Sequence, residues 1–150
     1  MTPAVKAAER AKIEFRLHEY SGVDVGDGDY AVAVAAALAL PPQRLFKTLV
    51  ASVDGSLQVF VVPADRQLDL RAVGKRSVLA TRAEAERATG YVVGGISPIG
   101  QKKAHPTVLD ESALGFETVY VSGGRRGLDL GLSPEDLVGV TGATVAPIRR

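Results

Sequence analysis

Cysteine is absent from the 150 residues. That excludes a disulfide frame, a thiolate nucleophile on the protein and a cysteine-ligated metal. It is consistent with a cytosolic protein, and a cytoplasmic location is the expectation. The only histidines, His18 and His105, are too few and too far apart in sequence to suggest a zinc site. Neither a metal nor a cofactor is expected. An excess of one charge is missing too: the net charge is +1, so there is no global basic field, and any contact with nucleic acid must rest on a local patch. Long apolar runs are missing as well. The most apolar one, Ala31 to Leu40, is too short for a bilayer, which needs about 20 residues, and Met1 to Lys6 lacks the apolar segment of a signal peptide. There is no internal repeat, linker or low-complexity segment. What remains is the composition of an ordinary soluble globule, long enough for one domain, 1–150, with its own core.

Several elements are legible. Thr2-Pro3 reads as an N-cap with proline at the first helical position, opening a helix to about Lys12. Ile13 to Tyr20 alternates as a half-buried strand, with His18 and Tyr20 on one face; by spacing alone that face is a polar one in solvent. Ser21 to Asp29 is a loop rich in Gly and Asp. Tyr30 to Leu40 is an alanine-rich helix with Asp27 or Asp29 at its N-terminus, and Pro41-Pro42 stops it. Arg44 to Val53 and Ser56 to Val62 form a hairpin around Asp54-Gly55. Asp65 to Gly74 reads as a short helix and Lys75 to Ala80 as a short strand. Thr81 to Glu84 is a capping box, opening a helix that ends near Thr89 with Gly90 as C-terminal cap. Thr107 to Leu109, Glu117 to Ser122, Leu128 to Leu130 and Ala143 to Ile148 read as strands, and Ser133-Pro134 opens a last helix. Many strands with short helices between them argue for one mixed α/β domain with a curved or barrel-like sheet.

Two stretches stand out. Thr89 to Lys103 carries an apolar run, the pair Gly94-Gly95, Ser97-Pro98, then Gly100 and two lysines. Tyr120 to Asp129 carries an apolar run, Ser122-Gly123-Gly124, Arg125-Arg126 and Gly127, and ends in a carboxylate. Each fits a strand and a tight turn with solvated cations. Each equally fits a cradle of backbone donors for an anionic group, and two such loops can close on one ligand. Lys47 stands inside an apolar strand, where a lysine is rarely buried without a partner. It either snorkels to the surface or faces a polar pocket.

These pieces, together with His18-Glu19-Tyr20, Phe46-Lys47-Thr48-Leu49, Gln67-Leu68-Asp69-Leu70 and Pro106 to Asp110, resemble the YbaK-type Cys-tRNA(Pro) deacylases. These are free-standing relatives of the editing domain inserted in bacterial prolyl-tRNA synthetases. The resemblance runs nearly end to end, and the two glycine segments in this order are its most specific part. It implies a mixed β-barrel-like sheet with helices around it. It also implies trans-editing, the removal of cysteine wrongly attached to tRNA(Pro) and also of cysteine on tRNA(Cys). The task follows from size: one small apolar group is worth only about 1–3 kcal/mol of discrimination, so a synthetase pocket for proline admits cysteine.

The resemblance further implies that the substrate's own sulfur attacks its ester carbonyl and expels the tRNA, leaving a cyclic thiolactone. The protein then has to hold the aminoacyl end in attacking geometry and stabilise charge. Lys47 matches the family's essential lysine, Tyr20 a pocket tyrosine, and Asp129 a carboxylate that either holds the α-ammonium or orients Lys47. His18 and Thr48 stand beside them. Gly94, Gly95 and Gly100, with Ser97, match the backbone cradle, and Ser122 and Gly123 match the second pocket segment. Lys102, Lys103, Arg125 and Arg126 would rim the pocket and attract the acceptor stem. A transient complex with prolyl-tRNA synthetase is expected, and no membrane. The chain departs from the family between Leu70 and Thr81, which is shorter, and at Ala104-His105, where a basic or bulky residue is common. Two other functions stay open at this point: clearing another small amino acid such as alanine by water attack, or a non-catalytic module that binds aminoacyl-tRNA or a nucleotide.

Overall fold

The computed structural model describes residues 1–23 and 29–150. Among the described residues eight strands form two sheets. β1 (Phe15–Glu19), β7 (Leu128–Leu132) and β6 (Val119–Arg125) make a three-stranded antiparallel sheet in the order β1-β7-β6. β4 (Ser77–Leu79), β2 (Phe46–Val53), β3 (Ser56–Pro63), β5 (Thr107–Asp110) and β8 (Thr144–Ala146) make a five-stranded one in that order, with β3-β5 and β5-β8 parallel. A single bridge, Leu45 to Tyr120, joins the sheets. The curved sheet expected from sequence is therefore two sheets meeting at one seam, and it does not close into a barrel.

Local chemistry explains most elements. α1 (Pro3–Arg10) is capped by Thr2, whose hydroxyl accepts from Val5 N, and it buries Ala4, Val5 and Ala8. α2 (Tyr30–Ala37) is capped by Asp29, whose carboxylate accepts from Ala31 N and Val32 N. Asp27, the other acid considered for that role, lies outside the described residues. Asp54 and Gly55 both take positive φ, 51° and 89°, which gives the tight β2–β3 turn the right-handed twist a hairpin needs. α4 (Arg82–Thr89) shows the full capping box between Thr81 and Glu84 and ends on Gly90 in the left-handed region. α5 (Pro134–Thr141) is capped by Ser133.

Three expectations change. The helix expected over 65–74 shrinks to one turn, α3 (Leu70–Val73), because the chain before it is held extended: Leu68 bridges Arg149, and Asp69 N donates to Ile148 O at 2.7 Å. The apolar run Tyr91-Val92-Val93 is a turn and no strand. Tyr91 turns inward, where its buried hydroxyl donates to Ile99 O at 2.6 Å. The second glycine segment is a strand rather than a loop. β6 continues through Gly123 and Gly124 with a register shift between Ser122 and Arg125, so only Arg126-Gly127 turns.

The main core lies between the sheets and α1, around Phe46, Val61, Ile99, Leu109, Val121, Leu130 and Leu137. Behind the larger sheet, Asp110 is fully buried and ties down the end of the chain. Its carboxylate accepts from Ile148 N, Arg149 N and Arg149 Nη1. Among the described residues no helix is long and apolar enough to cross a membrane.

Candidate active site

β2 has two unlike edges. One pairs with β3 along its length, from Phe46–Pro63 to Val53–Ser56, while the other is covered by β4 only from Ala51 to Val53. From Phe46 to Val50 that second edge carries no strand partner among the described residues. The antiparallel ladder to β3 alternates: Ala64 N donates to Leu45 O, so the bonded pairs fall on Lys47 and Leu49, and the backbone groups of Thr48 point to the open edge. A cavity of about 350 Å³ lies along it. That is within the range of about 300–1,000 Å³ common for small-molecule sites. Its apolar wall includes Val34, Leu45, Val50, Ala85 and Ile96, and its polar groups are few.

Six of the expected site residues are in its lining. Tyr20, Lys47, Thr48, Gly94, Ser122 and Asp129 all line the cavity. Strand pairing delivers two of them together, since Ser122 and Asp129 are register partners across β6 and β7. Asp129 is 3% exposed. Burial pushes its carboxyl from the ordinary 3.8 up to about 7, with the Tyr20 hydroxyl pulling partly the other way. Burial also raises Tyr20, helped by its hydrogen bond to Tyr30 and by the Asp129 charge, so the phenol stays protonated in any ordinary buffer. The Tyr20 and Tyr30 hydroxyls are 3.4 Å apart. Thr48 Oγ1 is buried with no hydrogen-bond partner among the described residues. A buried hydroxyl left unpaired is costly.

Lys47 is largely covered, its side chain 23% exposed. Its ammonium donates to Ala64 O at 3.4 Å and lies 3.9 Å from Asp29 Oδ2. Asp29 thus uses one oxygen to cap α2 and turns the other to Lys47. The carboxylate within ion-pair distance of Lys47 is that of Asp29, and no ion pair joins Lys47 to Asp129 among the described residues. Sequence reasoning placed Asp29 as a helix cap but missed that second contact. It also missed Tyr30, for which no motif gave a signal.

Other expected site residues support the cavity from outside it. His18 is the register partner of Asp129 across β1 and β7, so it leaves the same face of the small sheet, but it lies edge-on to Tyr120, with ring centroids 5.4 Å apart, and lines a separate groove with Glu14 and Asp136. Tyr20, whose N–H donates to Gly127 O, extends the β1–β7 pairing by one residue and lines the first cavity rather than this groove. Gly95 gives its N–H to Val92 O, and a Cβ there would stand 2.6 Å from Arg125 Cα. Gly100, at φ +69°, lies against the Pro3 carbonyl. Ser97 is fully buried, and its hydroxyl accepts from Ile99 N. Gly123 packs under Leu128. The first glycine loop therefore spends much of its polarity on itself, and of its glycines only Gly94 reaches the cavity.

The four cations divide. Lys102 and Lys103 are exposed and line none of the cavity; the Lys102 stem packs beside Gly90 at the end of α4. Arg125 lies 3.8 Å from Glu19. Arg126 alone is at the rim. Its guanidinium lies over the Tyr30 ring, 5.3 Å from the centroid, and its Nε donates to Val93 O at 3.2 Å. Gly94 leaves room for that crossing. Among the described residues no group of three His, Cys, Asp or Glu is placed to hold a metal.

A family model described as the aminoacyl-tRNA editing domain matches residues 26–140. A curated relative from Enterococcus faecalis, provisionally named Cys-tRNA(Pro)/Cys-tRNA(Cys) deacylase EbsC, is 34% identical over 98% of this chain and 92% of its own. A crystal structure described provisionally as a trans-editing enzyme for prolyl tRNA synthetase shares 27% identity with a TM-score of 0.84, over 99% of this chain and 95% of that one. Another, of hypothetical protein APE2540, shares 28% identity with a TM-score of 0.86, over 99% of both chains. The chain belongs to the aminoacyl-tRNA editing domain family.

Proposed function

We propose that the protein is a trans-editing deacylase that removes cysteine mischarged on tRNA(Pro), and cysteine from tRNA(Cys), through the cavity along the open edge of β2. Family membership and the names of the relatives support the substrate class. The observation that carries the site is the presence of one buried carboxyl, Asp129, and one largely covered ammonium, Lys47, in the lining of the same mostly apolar cavity.

In this reading ionised Asp129 receives the substrate's α-ammonium. The cation restores to the buried carboxylate the stabilisation that burial removed. Tyr20 steadies the same group. The Thr48 backbone N–H, which points to the open edge of β2, meets the aminoacyl carbonyl. Lys47 stands where charge develops on the departing ribose oxygen. The cysteine sulfur bonds to the ester carbon, the ester C–O bond breaks, and the thiol proton ends on the freed ribose hydroxyl. The products are a thiolactone and uncharged tRNA. The protein supplies position and charge but no nucleophile, consistent with its lack of cysteine. The choice of tRNA would come from a transient complex with prolyl-tRNA synthetase, since the net charge of +1 offers little general attraction for tRNA.

Deacylation of Cys-tRNA(Pro), Ala-tRNA(Pro) and Ser-tRNA(Pro) by wild type and Lys47→Ala tests this. Rapid loss of cysteine only, abolished in the variant, is expected. Clearing alanine as fast as cysteine would move the protein to water-driven hydrolysis. No turnover on any of the three would leave a binding module.

A further inference from the structure

Beside the first cavity runs a second, open groove of about 880 Å³ that the chemistry above leaves unused. Lys47, Leu49 and Leu79 line both, so the two share a wall. The rest of the groove comes from the segment 67–71 and from Arg150. It is firmly built. Gln67 and Arg150 exchange backbone hydrogen bonds at 3.3 and 2.7 Å, and the Arg150 guanidinium donates to Gln67 Oε1 at 3.0 Å. Its one acid, Asp69, is turned inward to cap α3, accepting from Arg71 N and Ala72 N. Three cations, Lys47, Arg71 and Arg150, therefore face this one occupied carboxylate. Between them lie apolar side chains, including Leu79, which is 49% exposed on the edge strand β4.

A substrate whose reacting end fills the first cavity must leave it along a continuous path. On the Tyr30 side Arg126 crosses from the ring to Val93 O and narrows the way out. On the Lys47 side the cavity and the groove adjoin along Lys47, Leu49 and Leu79. Alternating phosphates and bases match a trough of spaced cations and exposed aliphatic surface.

We infer that this groove binds the single-stranded nucleotides immediately preceding the aminoacylated one, with phosphates on Arg71 and Arg150 and a base against Leu49 and Leu79. The inference rests on the deacylase reading for its direction, and it makes Lys47 the hinge between reacting end and polynucleotide. It also moves the main nucleic-acid contact away from Lys102 and Lys103.

The test uses two substrates and one binding probe with the full chain. Arg71 is exposed, and its side chain makes no hydrogen bond among the described residues, so Arg71→Glu should fold, as circular dichroism would check. On Cys-tRNA(Pro) the variant is expected to raise KM roughly tenfold at low salt, with kcat unchanged, and to lower the salt slope by roughly 0.7, one single-strand phosphate contact. On cysteinyl-adenosine, which fills only the first cavity, wild type and variant should be equal. An equal loss on both substrates, or no change on the longer, would overturn the groove. Binding of an uncharged trinucleotide ending in adenosine, followed by fluorescence anisotropy, separates this from the parent reading. If wild type turns over nothing yet binds the trinucleotide through Arg71, the groove stands and the deacylase falls. If Arg71→Glu leaves that binding unchanged, the groove falls whatever the turnover. Displacement of the trinucleotide by an acidic peptide at equal affinity would also overturn the inference and give the groove to a protein segment.

Discussion

Replacing Asp129 by asparagine separates stability from function at one position. The carboxyl titrates near 7 in the folded protein and at its ordinary 3.8 when unfolded, because burial opposes its charge. Between those values the native state holds a proton that the unfolded state has released. Stability contributed at this site therefore falls as pH rises through that window and is level above it. At about 1.4 kcal/mol per pH unit, the whole cost of ionising Asp129 is on the order of 4 kcal/mol, of which roughly 3 falls between pH 5 and pH 9. Asparagine keeps the shape and cannot ionise. In urea unfolding across pH 5 to 9, the stability of Asp129→Asn relative to wild type is expected to grow by roughly 3 kcal/mol and to flatten above pH 7. The same variant should lose deacylation at every pH, because nothing remains to hold the α-ammonium. A stability difference that stays flat with pH would refute the burial argument. Full activity in the variant would remove Asp129 from the mechanism.

Four further outcomes follow from the site. In wild type, kcat/KM on Cys-tRNA(Pro) should rise with pH toward about 7 as Asp129 ionises, and a fall over that range in a pH-rate profile would assign the carboxyl the opposite protonation state. Lys47→Ala should lower the single-turnover rate by at least about a hundredfold, the scale of losing one charge-stabilising group. Thr48→Val removes a buried hydroxyl that already lacks a partner, so thermal unfolding should show no loss of stability. Gly95→Ala places a methyl 2.6 Å from Arg125 Cα, so it should cost about 1–3 kcal/mol in chemical denaturation although Gly95 lies outside the cavity.

The readable parts of this chain were those set by short-range chemistry. The Thr81–Glu84 capping box, the Asp54-Gly55 turn and the Ser133-Pro134 helix start each depend on neighbours within a few residues, and each formed as its sequence indicates. Lys47 was legible because a lysine inside an apolar strand demands a partner. What escaped depends on distant chain. The segment 67–69 reads as helix but is held extended by backbone bonds to Ile148 and Arg150, more than 75 residues away. Tyr91-Val92-Val93 reads as strand but turns because the Tyr91 hydroxyl is buried beside Ile99. His18 and Tyr20 line different cavities, because the Tyr120 ring beside His18 belongs to a distant strand that the spacing of β1 does not reveal. The two glycine segments did mark the site, yet largely for packing. Most of their glycines admit backbone or side chains from elsewhere, and Gly94 alone among the expected ones meets the cavity.

The central claim is that the cavity holds a cysteinyl ester so that its own sulfur cleaves it. Its most direct measurement compares single-turnover deacylation of Cys-tRNA(Pro) with that of the same tRNA carrying S-methylcysteine, at saturating wild-type protein. The added methyl blocks the nucleophile and keeps the ester, the ammonium and the tRNA. The account expects the methylated substrate to bind and to survive, with release no faster than in buffer. Cleavage of both at comparable rates would show that water is the nucleophile and would contradict it.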